Sequence, residues 1–151
     1  MKVDMMLCDF AQVHAGKLYV TGAAVNLLTA GGRQGPHAVS LHLAALLTVP
    51  WAATDGTFRV RVALEDARGE RVSLAGPPPG ETLTPAERGA ILLDIALGRP
   101  ETLQPGEDSL VPFAVPVSVR LPMFGTYTLS VAVGDETIGR LAFRLAAPPQ
   151  D

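Results

Sequence analysis

Three histidines (His14, His37 and His42), one cysteine (Cys8) and a handful of carboxylates are the residues whose chemistry could go beyond packing. Zinc needs three or four convergent ligands, and no compact spacing of His, Cys, Asp and Glu supplies them. His37 and His42 are five residues apart, so on one regular strand they point to opposite faces. Cys8 or Asp9 could approach His14, for which a polar cluster at a strand end is the plainer reading. A hydrolase would need a nucleophile, a base and a group that stabilises developing negative charge. Ser40 and His42 share an idealised strand face but stand about two residue rises apart, and Cys8 with His14 is no better defined. G-x-S-x-G and H-E-x-x-H are both missing. Asp55, Glu65, Asp66, Glu70, Glu81 and Glu87 read as carboxylates that solvate turns and surfaces. The expectation is a non-enzymatic protein with no catalytic, cofactor-binding or metal-binding residue to assign and no cofactor.

Binding chemistry is a second possibility. Arg59 and Arg61, joined by Arg68, Arg71, Arg120, Arg140 or Arg144, could meet phosphates if they converged, but Glu65, Asp66 and Glu70 share the neighbourhood and Phe58 points inward. No nucleic-acid partner is expected. Thr29 to Pro36, TAGGRQGP, is glycine-rich without the lysine and hydroxyl that a phosphate loop needs, so it reads as an exposed loop. Trp51, then Tyr19 and Tyr127, are the aromatics that could floor a sugar or small-ligand site; sheet-end or core packing is the alternative.

The elements that must position these residues are short alternating runs. Met5 to Val13 reads as a strand and Lys17 to Leu28 contains another, centred on LYVTGAAV, with Gly22 marking a bulge or close backbone approach. Val39, Leu41, Leu43, Ala45, Leu47 and Val49 form one face of the next strand, while Ala44 and Leu46 lie on the other. From Thr57 to Glu65, Phe58, Val60, Val62 and Leu64 alternate with Arg59, Arg61 and Glu65, and Asp66 to Gly69 turns toward RVSLAG. PPPGETLTPAERG reads as a crossover or a loop with a short helical turn, and Ile91, Leu93, Ile95 and Leu97 as a strand. Val111, Phe113, Val115, Val117 and Val119 share a face, with Pro112 and Pro116 on the alternate one, which argues for an edge strand or a bulged segment rather than the centre of a sheet. Tyr127, Leu129, Val131 and Val133 pair across a Gly134–Asp135 reversal with Leu141, Phe143 and Leu145. The fold class expected is all-β: a predominantly antiparallel β-sandwich of seven to nine strands, with a barrel as the alternative closure.

The 151 residues suit one domain, 1–151, whose native surface would be roughly 7,300 Å². Hydrophobic residues make up 48% and charged ones 18%, which argues against disorder. The net charge of -3 gives no general attraction to nucleic acid or anionic lipid. A single cysteine suits a reducing compartment, Asp4 and Asp9 interrupt any secretory apolar region, and no run approaches about 18 apolar residues. A cytoplasmic protein without membrane association is expected.

The segments CDFAQVHAGKLYVTGAA, HLAALLTVPWAATDGTFRVRVALEDARG, VPFAVPVSV and FGTYTLSVAVGDETIGRLAF together resemble a family of small uncharacterised bacterial proteins classified as a domain of unknown function. The resemblance covers nearly the whole chain and implies an immunoglobulin-like or similar β-sandwich. It carries no catalytic or binding residues. The function expected is protein interaction or a structural role, with a protein partner or a homo-oligomer, because the two prolines manage an exposed edge and Ala44 and Leu46 extend apolar surface. A carbohydrate or small-ligand module is the alternative.

Overall fold

The alternating runs become strands of two sheets in the computed structural model, which describes residues 1–150. The first sheet contains β1 (Lys2–His14), β2 (Lys17–Ala23), β4 (His37–Val49) and β8 (Ser109–Leu121) in the order β2-β1-β4-β8. The second contains β3 (Leu27–Thr29), β10 (Glu136–Ala146), β9 (Gly125–Val133) and β5 (Gly56–Asp66), with β6 (Arg71–Val72) and β7 (Ile91–Leu97) both pairing with β5. Every pairing is antiparallel except β3 with β10. Trp51–Ala53 forms the one helical turn among the described residues, a 3-10 turn that follows Pro50.

Ten strands replace the expected seven to nine among the described residues. The Lys17–Leu28 stretch, expected to contain one strand, contributes to two, divided after Ala23 where Ala24, with φ of 64°, breaks the extended path. The chain then leaves the first sheet: Val25 N–H donates to Leu7 O, and Arg144 N–H donates to Asn26 O. Leu27–Thr29 is too short to show a period and becomes a parallel neighbour of β10.

One buried cluster draws on both sheets. Leu7, Leu43 and Val117 from the first belong to it together with Val62, Leu64, Leu129, Val131 and Phe143 from the second, as the alternation requires. Phe58 is only half-buried but packs against the same cluster. Gly139 shows how close the two sheets come, because a Cβ there would collide with Val3 and Met5 of β1. The corner between β8 and β9 is held by Tyr127, whose Oη donates to Met123 O at 2.7 Å and accepts from Met123 N at 3.4 Å.

A second, smaller cluster lies on the other face of the first sheet and corrects one expectation. Ala44, placed outward by its parity, is 1% exposed. It packs with Cys8 and Ala11 of β1, Leu18 and Val20 of β2, and Ala114 of β8. In a flat sheet β2 would lie two strand widths from β4, so these contacts mean that the β1–β2 hairpin curls over that face. Gly22 is the kink, with φ of 65° in mid-strand and no room for a Cβ beside the Asp9 side chain. β8 is an edge strand, as Pro112 and Pro116 implied, and neither proline offers an N–H to a neighbour.

Candidate functional site

Folding separates the three histidines and brings Cys8 and Asp9 to one of them. Cys8 is fully buried and its Sγ donates to His42 O at 3.5 Å, so Cys8 and Asp9 lie beside His42 rather than His14. Burial, reinforced by Asp9, pushes the Cys8 thiol above its ordinary pKa, which keeps it protonated and a poor nucleophile. His42 Nδ1 is 3.2 Å from Asp9 O; a carbonyl only accepts, so Nδ1 carries the proton. The same ring meets Phe10 edge-on at 5.0 Å. His14 is exposed near Tyr19, and His37 is buried against Phe124 at 4.6 Å, on the face opposite His42. Among the described residues no group of three or more His, Cys, Asp and Glu is arranged to hold a metal ion.

Trp51 is tied to its own turn. The Arg99 guanidinium lies 4.0 Å above the ring, an attractive arrangement for a cation on an aromatic face. Arg99 Nε donates to Thr54 Oγ1 at 2.7 Å, and Nη2 reaches the carbonyls of Trp51 and Thr54 at 3.3 Å. Arg99 N–H also donates to Asp55 Oδ1 at 2.8 Å. One face of the indole is therefore unavailable to a sugar. The signal was Arg99 itself, forty-eight residues from Trp51 and visible only once β7 had paired with β5.

The arginines divide into two groups. Arg59 is saturated by carboxylates: Nε and Nη2 form a fork on Asp94 at 2.7 and 2.8 Å, and Nη1 reaches Glu81 and Glu87 at 3.3 and 3.4 Å. Glu87 also accepts from the Thr84 backbone N–H and hydroxyl at 2.9 and 2.8 Å, which holds a hydrogen-bonded turn at 84–88 rather than a helix. Asp66 accepts from the backbone of Arg68 and Glu70, and Arg71 pairs with Glu65 at 3.8 Å. Arg61, Arg140 and Arg144 have no carboxylate within ion-pair distance among the described residues.

Arg59 thus latches the 73–90 loop to β5 and β7, and the latch is acid-sensitive. Its hydrogen bonds hold the Asp94 carboxyl below the ordinary range. Glu87 is also held low, first by the Thr84 bonds and then by Arg59. A carboxylate with a depressed folded-state pKa contributes its stability above the unfolded value and loses it as pH falls through the folded one. Amide exchange in residues 81–90 is therefore expected to accelerate, beyond its intrinsic pH dependence, only below the ordinary carboxylate range of about 4. In Arg59→Met the same amides should already exchange fast at neutral pH, with little change in the melting temperature. Unchanged exchange in that variant would remove the latch.

The molecule is thus a protein of two predominantly antiparallel sheets, with its histidines, cysteine and tryptophan engaged in separate local contacts. The model of a family of unknown function, DUF6941, matches residues 4–146, and the chain belongs to that family. No curated protein matches the chain. Among the described residues no helix is long and apolar enough to cross a membrane.

Proposed function

We propose that the protein is a non-enzymatic interaction domain, a single immunoglobulin-like β-sandwich that meets a protein partner through the curled β1–β2 hairpin and the sheet face beside it. The sandwich reading is supported by a core shared between one face of each sheet and by the Tyr127 corner, a hydrogen bond from a strand-start tyrosine to backbone just upstream. The contact surface rests on one observation. Of the seven large hydrophobic residues left exposed, five lie in strands of the first sheet: Met6, Phe10, Val13, Tyr19 and Leu110. Leu46 is half-buried on the same face as Met6 and keeps the apolar role that Ala44 loses.

The accessible surface adds to this. At 8741 Å² it exceeds the roughly 7,300 Å² of a compact monomer of this size by about 1,400 Å². A standard interface covers about 800 Å² on each partner. A reducing compartment, and so the cytoplasm, suits the free buried thiol of Cys8. For the competing sugar or small-ligand module, Arg99 occupies one face of Trp51.

The test is capture from native extract by the parent and by Phe10→Glu/Tyr19→Glu, with light scattering across concentration to detect self-association. A partner or a dimer retained by the parent and lost by the variant is expected, at unchanged melting temperature. Equal capture by both would remove the hairpin from the contact.

A further inference from the structure

We propose that the outer face of the second sheet, away from the shared core, is a docking trough for an extended acidic segment of a partner polypeptide. On this face β9 presents Thr126, Thr128, Ser130 and Ala132, because Tyr127, Leu129 and Val131 point into the core. Small side chains therefore floor the middle strand. Ser130 lies between Arg140 of β10 and Ala63 of β5, and Thr126 lies beside Arg144. Arg61 stands opposite Ala132 from the other side. The floor is thus flanked by Arg140 and Arg144 on one side and, on the other, by Arg61 and by Glu65, which Arg71 neutralises.

Charge points to the occupant. Arg61, Arg140 and Arg144 have no carboxylate within ion-pair distance among the described residues, whereas Arg59 on the same sheet face meets three and Arg71 meets Glu65. Ala63 and Ala132 are each 2% exposed on this outward face, which fits arginine stems lying over them with their heads in solvent. A guanidinium fork matches a carboxylate in two parallel hydrogen bonds.

Spacing points to an extended chain. Arg140 and Arg144 are four residues apart on one strand, about 13 Å, and an extended peptide repeats its same-side residues about every 6.8 Å. Carboxylates at positions i and i+4 of a peptide aligned with β10 therefore reach both arginines. Phe58, Tyr127 and Phe143, the aromatics of β5, β9 and β10, belong to or pack against the core, so this face lacks the stacking platform of a single-stranded nucleic-acid or sugar site. The hairpin surface of the proposed function lies on the other sheet, so either contact can fail without the other.

Fluorescence anisotropy with two labelled peptides of about twelve residues and four Glu each tests this, one alternating its Glu with Ser and one holding them in a single block, which contains no i, i+4 pair. The full-length protein is expected to bind the alternating peptide at least about threefold more tightly than the block peptide. Arg140→Ser/Arg144→Ser should weaken the alternating peptide about tenfold, while Arg33→Ser/Arg88→Ser leaves it unchanged and all melts stay superimposable. No binding, equal binding of the two peptides, or indifference to the Arg140/Arg144 change would overturn the proposal. Tighter binding of an oligothymidylate, lost through the same two substitutions, would replace the acidic peptide with nucleic acid.

Discussion

Val131→Asp is expected to destabilise the protein by about 3–5 kcal/mol, a loss set by an unpaired buried charge. Val131 is fully buried in the middle of β9, opposite Val62 of β5 and Gly139 of β10. Gly139 itself has Val3 and Met5 of the first sheet packed against it. An aspartate here finds no cation and no room, and it either carries its charge into the core or takes up a proton at a raised pKa. Denaturant and thermal melts beside the parent check this. A transition within about 0.5 kcal/mol of the parent, the range of a neutral surface change, would remove Val131 from the core.

Tyr127→Ala should cost a similar amount, about 3–5 kcal/mol, and Tyr127→Phe only about 1 kcal/mol. The ring is 1% exposed and stacks on Phe143 at 5.8 Å, so its deletion opens a cavity between β9 and β10. The hydroxyl serves the backbone of Met123 at both its oxygen and its nitrogen, and its loss frees the corner that carries the chain from one sheet to the other. The two variants separate packing from tethering. If phenylalanine costs as much as alanine, the corner bond matters more than the ring.

The residue pattern contains the strands because their inward faces obey a two-residue period. Val60, Val62 and Leu64, or Leu129 and Val131, are buried because burying that face is the only way to remove it from water. Ile91–Leu97 is a strand for the same reason, since its alternate apolar face packs against the core. Parity does not contain the curl of a hairpin. Ala44 is outward by alternation and buried in space because Gly22 bends β2 across it. Nor does it contain ion pairing between distant segments: Arg59 and Arg61 look alike in sequence, and only the return of the 73–90 loop and β7 neutralises the first and leaves the second unpaired. Arg99 over Trp51 is hidden for the same reason. The shared cause is sequence separation, because local chemistry sets each strand while pairing decides which charges meet.

The most direct measurement of the interaction reading is site-specific photocrosslinking in living cells. A benzophenone amino acid placed at Tyr19, exposed on the hairpin, should give one discrete protein adduct. Phe10→Glu in the same chain should abolish it, and the same probe at Glu101, exposed in the loop between β7 and β8, should not form it. No adduct at Tyr19, or the same adduct from both positions, would contradict a partner contact through the curled hairpin.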